Sequence, residues 1–129
     1  MQLVGLDHIQ LAMPAGGEPE ARRFYADLLG LSEIAKPAPL ATRGGCWFVG
    51  TGIHIHLGIE QPFASARKAH PAFLVADLEA CRRRLEAAGV ATTPDDSVPG
   101  VRRCYAADPF GNRIEFIQDG DGFSQHDTA

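Results

Sequence analysis

Residues 108–116, which read DPFGNRIEF, predict a tight turn that leads into a β-strand. The proline fixes φ at one corner of the turn, and the Gly-Asn pair can adopt positive φ at the next. In the strand that follows, Ile114 and Phe116 lie on one face and Glu115 on the other, because successive side chains alternate across a pleat. Taken alone, Glu115 is typical of a solvent-exposed acid on the polar side of a half-buried sheet. That interpretation changes because a similar segment occurs once earlier in the chain.

The chain contains an internal repeat with an offset of about sixty residues. Both halves have the order strand, helix, strand, strand, strand. The matching segments are Leu29-Gly30-Leu31 with Ala88-Gly89-Val90, Cys46-Trp47 with Cys104-Tyr105, and Ile55-His56-Leu57 with Ile114-Glu115-Phe116. His8 matches His70 at a slightly longer offset. The sequence therefore predicts a duplicated βαβββ unit.

The two repeats are expected to form one domain. We place the first repeat at about residues 1–60, a connector at 61–69, the second repeat at about 70–119 and a mobile tail at 120–129. Strands of the first repeat are predicted at residues 1–13, 31–36, 44–50 and 53–60, with a helix at 18–29. Those of the second are predicted at 70–76, 90–93, 102–107 and from 113 onward, with a helix that begins after the N-cap Asp77.

Composition excludes several functional classes. The chain has 129 residues, 45% apolar content and a formal net charge of −4, so it lacks the basic footprint expected of a protein that binds nucleic acid or an anionic membrane. No apolar run is long enough to span a bilayer, and the N-terminus does not resemble a signal peptide. We therefore expect a cytoplasmic protein. The three cysteines are widely separated, which favours structural roles over a disulfide framework or a zinc site.

In each of four predicted strands a candidate polar side chain lies opposite the bulky apolar residues: His8, His56, His70 and Glu115. We expect a helix to cover the apolar face of each sheet, so that the other faces line a shared cleft. The predicted fold class is α+β, with two βαβββ repeats forming a curved mixed sheet around a metal-binding cleft. Buried imidazole and carboxylate groups need hydrogen bonds, ion pairs or a metal, and one divalent ion would satisfy all four. Hydrogen bonds within the cleft are the alternative explanation.

The chain resembles the vicinal oxygen chelate superfamily, which includes glyoxalase I, the bleomycin resistance proteins, extradiol dioxygenases, fosfomycin resistance enzymes and methylmalonyl-CoA epimerase. The markers of the resemblance are Asp7-His8-Ile9, Phe24-Tyr25-x-x-x-Leu29-Gly30, His70-Pro71-Ala72-Phe73 and Asp108-Pro109-x-Gly111-Asn112-x-x-Glu115. In metal-binding members the ligands come from the first and last strand of each unit. The resemblance therefore implies the metal ligands His8, His56, His70 and Glu115.

At the second ligand position this chain has His56, whereas glyoxalase I, which the chain resembles, has a glutamate there. Only Glu115 then remains to take a proton next to a carbonyl group. The set His8, His70 and Glu115 instead resembles the two-histidine, one-carboxylate arrangement of extradiol dioxygenases and fosfomycin resistance enzymes. Iron or manganese is then as admissible as zinc or nickel. His56 could be a fourth ligand or an acid/base group, and His54, on the same face, could replace it.

The resemblance implies a metal-dependent enzyme, a lyase, isomerase or extradiol-type dioxygenase, whose small-molecule substrate chelates the metal through adjacent oxygens. Glu115 and His56 would be its catalytic residues. The alternative is a metal-free drug-binding protein, similar to the bleomycin resistance members, with an aromatic surface from Trp47, Phe48 and Tyr105. A position in the core is the simpler explanation for each of these rings.

Three arginines, Arg43, Arg102 and Arg113, could orient an anionic substrate, although a solvated surface role is the simpler explanation for each. Family members of this length usually form homodimers, and some build the cleft across the subunit interface. The resemblance therefore implies a homodimer, and it leaves open whether the cleft lies within one chain or between two.

Overall fold

A computed structural model describes residues 1–126 of the chain. The chain divides into two compact units, and the boundary between Ala66 and Arg67 falls within the predicted connector at 61–69. None of the helices in this described part has the length and apolar content needed to cross a membrane.

The first unit is a four-stranded sheet with a helix. Its elements are β1 (Ile9–Met13), α1 (Glu18–Ala21), which continues as a π-helical segment (Arg22–Leu28), β2 (Ser32–Ile34), the short helix α2 (Ala38–Ala41), β3 (Cys46–Gly50) and β4 (Ile53–Ile59). The strand order is β1-β4-β3-β2, and β1 runs parallel to β4. The largest buried side chains of this unit's core are Met13, Phe24, Tyr25, Phe48, Ile55 and Leu57.

The second unit repeats this topology. Its elements are β5 (Ala72–Val75), α3 (Leu78–Ala87), β6 (Thr93–Asp95), β7 (Arg103–Ala107), β8 (Arg113–Gln118) and a 3-10 turn (Phe123–His126). The strand order is β5-β8-β7-β6, and β5 runs parallel to β8. Asp77 caps α3 as predicted, because its carboxylate accepts a hydrogen bond from the Ala80 amide at 3.0 Å. The predicted α+β fold of two βαβββ units is confirmed.

The strand register confirms the predicted equivalence of the two repeats. His56 in β4 pairs with Trp47 in β3, and Glu115 in β8 pairs with Tyr105 in β7. Residues that pair across neighbouring strands share a face of the sheet, so each unit presents one aromatic ring beside its candidate ligand.

The predicted strand at residues 1–13 is correct only from Ile9 onward. Ile9 pairs with Ile55 in parallel register, so Asp7 would face Ile53, where β4 begins. Residues before Asp7 therefore have no strand to pair with, and the alternating side chains of Leu3 to Leu6 stay exposed.

The predicted strand at 90–93 is shifted to β6, Thr93–Asp95. The proline inside it, Pro94, has no backbone N–H to donate. It is tolerated because β6 lies at the edge of its sheet, where one side of the strand has no neighbouring strand to pair with. Only part of the predicted mobile tail, residues 120–129, lies within the described part of the chain. Asp121 forms an ion pair with Arg102 at 2.7 Å, and residues 127–129 lie outside the described part of the chain.

The turn before β8 is buried and held by the Asp108 carboxylate. One oxygen accepts hydrogen bonds from the backbone amides of Phe110 and Asn112, both at 2.9 Å, and the other accepts one from the Asn112 side chain at 2.9 Å. Gly111 has φ +85°, as the turn sequence predicted. This network fixes the point at which β8 begins, and so the position of Glu115.

We expect Asp108→Ala to lower the free energy of unfolding by about 2–3 kcal/mol, because it leaves buried donors without an acceptor. Urea denaturation of the two proteins measures the difference. The matched control is Asp96→Ala, which removes an exposed aspartate of the same unit and should change little. An Asp108→Ala variant as stable as this control would contradict the structural role of the turn.

Candidate functional site

Three aromatic rings form a stack on the polar face of the first sheet. The His56 ring lies parallel to the Trp47 ring, with centroids 3.8 Å apart and planes 1° apart. On its other side the His8 ring stacks at 3.9 Å and 19°. His54 contacts His56 edge-on at 4.7 Å. The first unit therefore groups its three histidines into one cluster, in which Trp47 contacts His54 and His56.

Two nitrogens of this cluster are buried without a partner. Within the described residues, the Nε2 atoms of His54 and His56 make no hydrogen bond. Burial, together with smaller contributions from the neighbouring His8 and His54, lowers the pKa of His56 to about 4. His56 is therefore neutral at physiological pH, with an Nε2 lone pair or proton that has no protein partner. A buried, neutral imidazole of this kind is a suitable metal ligand.

His8 is oriented by its neighbour in sequence. Its Nδ1 lies 2.8 Å from the Asp7 carboxylate, and this hydrogen bond lowers the pKa of Asp7. The contact leaves Nε2 of His8 available. A nitrogen lone pair lies in the plane of its ring, so the lone pairs of two stacked rings lie in nearly parallel planes. In these orientations His8 and His56 do not point at one common ion. The His8 side chain is 36% exposed and precedes β1, which gives it room to turn.

His70 and Glu115 form the corresponding pair in the second unit. Nε2 of His70 lies 2.8 Å from Oε1 of Glu115, and the Glu115 side chain is 5% exposed. Nδ1 of His70 lies 2.8 Å from the carbonyl oxygen of Lys68. Because a carbonyl can only accept, Nδ1 carries the proton in this contact. Glu115 is thus a buried carboxylate, not the solvated acid that its strand alone would suggest.

Arg103 holds the other oxygen of Glu115, a role that was not predicted from the sequence. Its Nη1 donates to Oε2 of Glu115 at 3.2 Å and to the Tyr105 hydroxyl at 2.7 Å, and its Nη2 pairs with Asp95 at 3.1 Å. The available signal was the alternation of β7, which puts Arg103 and Tyr105 on the face that carries Glu115. Arg102, chosen in its place, points to Asp121 instead.

The remaining predicted binding residues are distributed as follows. Phe48 is fully buried and stacks on Tyr25, so it lies in the core, the position that the sequence favours, and not on an aromatic binding surface. Arg113 stacks over the Tyr105 ring at 3.9 Å.

Cys46 and Cys104 are buried, and burial raises the pKa of each thiol to about 11, consistent with structural roles.

The four predicted metal ligands therefore occur as two pairs, His8 with His56 in the first unit and His70 with Glu115 in the second. Across residues 1–126, no three His, Cys, Asp or Glu side chains are grouped closely enough to hold a metal ion. The sharing of one ion by the two pairs stays a prediction.

The low pKa of His56 makes the stability of the metal-free protein depend on pH. The unfolded chain takes up the proton near pH 6.5 and the folded chain only near pH 4, so stability is complete above pH 6.5 and falls as the pH is lowered to 4. We expect His56 to account for a loss of about 2–3 kcal/mol over this interval. Urea denaturation at several pH values checks this. His56→Gln should flatten the profile, and an unchanged profile would contradict the assignment.

The duplicated βαβββ fold, with ligand-type residues on the polar face of each unit, defines a protein of the vicinal oxygen chelate type. The sequence matches the profile of the Glyoxalase/Bleomycin resistance protein/Dioxygenase superfamily over residues 5–116, and the chain belongs to that superfamily. The predicted resemblance is thereby confirmed. None of the curated proteins compared with the chain matches it.

Several solved structures are similar to this chain. A protein assigned to the glyoxalase family from Bacillus anthracis is 46% identical, with a TM-score of 0.88, and the match covers 92% of this chain and 97% of that one. The fosfomycin resistance protein FosX from Listeria monocytogenes is 19% identical, with a TM-score of 0.76 and coverage of 96% and 98%. An integron cassette protein from the mobile metagenome of V. cholerae is 23% identical, with a TM-score of 0.68 and coverage of 92% and 98%. The last two show likeness of fold alone.

Proposed function

We propose that the protein is a metal-dependent enzyme that acts on a small molecule through two adjacent oxygen atoms of that molecule. His8, His70 and Glu115 would hold a divalent ion, with His56 as a fourth ligand. When bound, such an ion acts as a Lewis acid and as a template for a chelating substrate. The admissible metals are iron, manganese, zinc and nickel.

One observation carries the proposal, the contact between His70 and Glu115. Nδ1 of His70 donates to a carbonyl, so a neutral imidazole would turn its Nε2 lone pair toward a carboxylate oxygen only 2.8 Å away. Two facing lone pairs repel each other unless a proton or a cation lies between them. A metal ion held by His70 and Glu115 would remove the repulsion, and the fixed Nδ1–H is the arrangement commonly seen in metal-bound histidines.

The roles of the other residues follow from their surroundings. The low pKa of His56 disfavours the protonated form that a general base must reach, so His56 is better suited as a ligand than as a base. Glu115 is then the group that can take up a proton from a bound substrate, at Oε1 or Oε2. Arg103, which also donates to the Tyr105 hydroxyl, positions the Glu115 carboxylate.

A metal-free binding protein is the second candidate, and one feature favours it. Both oxygens of Glu115 and both nitrogens of His70 already have partners within the chain, so the second pair is satisfied if one proton is shared between them. In that case the ring surface of Trp47 and the histidines would contact a planar ligand.

Metal analysis separates the two candidates. Protein purified without chelators is assayed for metal content, then stripped and titrated with Mn²⁺, Fe²⁺, Ni²⁺ and Zn²⁺ by calorimetry. We expect saturable uptake and a rise in unfolding free energy of about 2.7 kcal/mol at a hundred times the dissociation constant. A protein that neither contains nor takes up metal would contradict the enzyme proposal and favour sequestration.

We further propose that the protein forms a homodimer and that it acts in the cytoplasm, as its sequence predicts. Proteins of this fold typically bind small molecules and form dimers, which supports the first point. The cleft that unites the two ligand pairs would then belong either to one chain or to two.

A further inference from the structure

A cavity of about 380 Å³ lies in the first unit beside the His56 ring. Its volume is within the range of sites for small ligands. Trp47 and the buried His56 form one part of its wall, and two cationic side chains, Lys36 and Arg43, form another. No carboxylate is present among the described residues that line it. The cavity is therefore electropositive without an internal counter-ion.

The two cations differ in how they are held. Lys36 is half-buried, and its ammonium group donates a hydrogen bond to the carbonyl of Gly44. Arg43 is exposed, and its guanidinium makes no ion pair or hydrogen bond within residues 1–126. Lys36 is thus bound to the backbone of a residue that lines the cavity, and the guanidinium donors of Arg43 are all available.

The loop that carries Arg43 has a fixed course. Gly44 and Gly45 both have positive φ, and a Cβ at Gly45 would overlap with the carbonyl oxygen of Leu57. The Gly45 amide donates to the Glu18 carboxylate at 3.0 Å. This hydrogen bond lowers the pKa of Glu18, Lys36 adds a smaller electrostatic contribution, and Glu18 does not line the cavity. The loop therefore places Arg43 at a cavity whose described lining contains no carboxylate.

We propose that this cavity binds the anionic group of the substrate, a carboxylate, phosphonate or phosphate, through Arg43 and Lys36. Trp47 contacts the carbon skeleton of the same molecule. The inference rests on the proposed function, in that the chelating oxygens of the substrate would lie toward His56. The substrate class is then a small oxyanion whose charged group is distinct from its metal-chelating end.

The test uses metal-free protein, so that anion binding is measured separately from metal binding. Propylphosphonate, butyrate and neutral 1-propanol are titrated at low ionic strength, with calorimetry and the fluorescence of Trp47 as readouts. Trp47 is the only tryptophan of the chain, so its signal reports on this cavity. The two anions distinguish a phosphonate-type from a carboxylate-type group.

We expect at least one anion to bind and to change the Trp47 fluorescence, and the neutral alcohol not to bind. Arg43→Gln should weaken binding roughly tenfold, as the loss of one charge-assisted hydrogen bond predicts. Lys36→Met should also weaken it. The matched control Arg23→Gln, an exposed arginine of the same unit outside the cavity, should leave it unchanged.

Three results would overturn the inference: no binding of either anion, equal binding of the alcohol, or heat of binding without a change in Trp47 fluorescence. Binding that survives Arg43→Gln at full strength would do the same. Metal-free protein is used throughout. Anion binding by a protein that takes up no metal would therefore support the anion-binding role of the cavity while contradicting the enzyme proposal.

Discussion

The Glu115→Gln variant is expected to lose divalent-metal binding, with a dissociation constant that rises by more than about a hundredfold, since even residues that only orient ligands contribute ten- to a hundredfold. The amide oxygen is neutral and a poor ligand for a divalent cation. The substitution preserves shape, and the new amide group can donate to Nε2 of His70 and accept from Arg103. The fold should therefore be retained while the metal is lost.

Calorimetric titration of stripped protein with Mn²⁺, Ni²⁺ and Zn²⁺ measures this effect, and circular dichroism verifies the fold. Glu86→Gln is the matched control, because Glu86 is an exposed glutamate on α3 of the same unit. A Glu115→Gln variant that binds metal as tightly as this control would show that Glu115 is not a ligand. The pair formed with His70 would then have to be explained by a shared proton alone.

The duplicated topology was predictable because its signals are local. Alternation along each strand, Asp77 before α3 and the Asp-Pro turn at residue 108 depend on neighbours within a few positions. The repeat then supplied the equivalence of His56 and Glu115, which the strand register confirms. Face and strand could be read from the order of residues for His56 and Glu115, whereas His8 and His70, predicted to lie within strands, come just before β1 and β5.

Features that depend on contacts between elements were not predictable. The length of β1 is set by where β4 begins, and an alternating pattern holds no information on that point. Alternation along β7 puts Arg103, and not Arg102, on the face of Glu115, but the burial of Arg103 depends on the packing of β6 and β8 around β7. The burial of Asp108 and Glu115 likewise depends on the tertiary structure.

Arg103→Met is expected to destabilise the metal-free protein by about 3–5 kcal/mol, the usual effect of leaving a buried charge without its partner. Methionine preserves much of the apolar stem of the side chain, so the loss comes mainly from the charge. Glu115 would keep only His70 as a partner, and Asp95 would lose its guanidinium. Urea denaturation with and without a saturating divalent metal measures the effect.

Arg102→Met is the matched control, because Arg102 is the adjacent arginine and also forms an ion pair, but on the surface. Exposed ion pairs contribute little to stability, so the control should unfold almost like the unmodified protein. If Glu115 binds metal, the ion replaces the lost guanidinium as its counter-charge, and the deficit of Arg103→Met should shrink when metal is added. A deficit that metal does not reduce would place the ion away from Glu115. A variant as stable as Arg102→Met without metal would mean that the Glu115 carboxylate does not depend on Arg103.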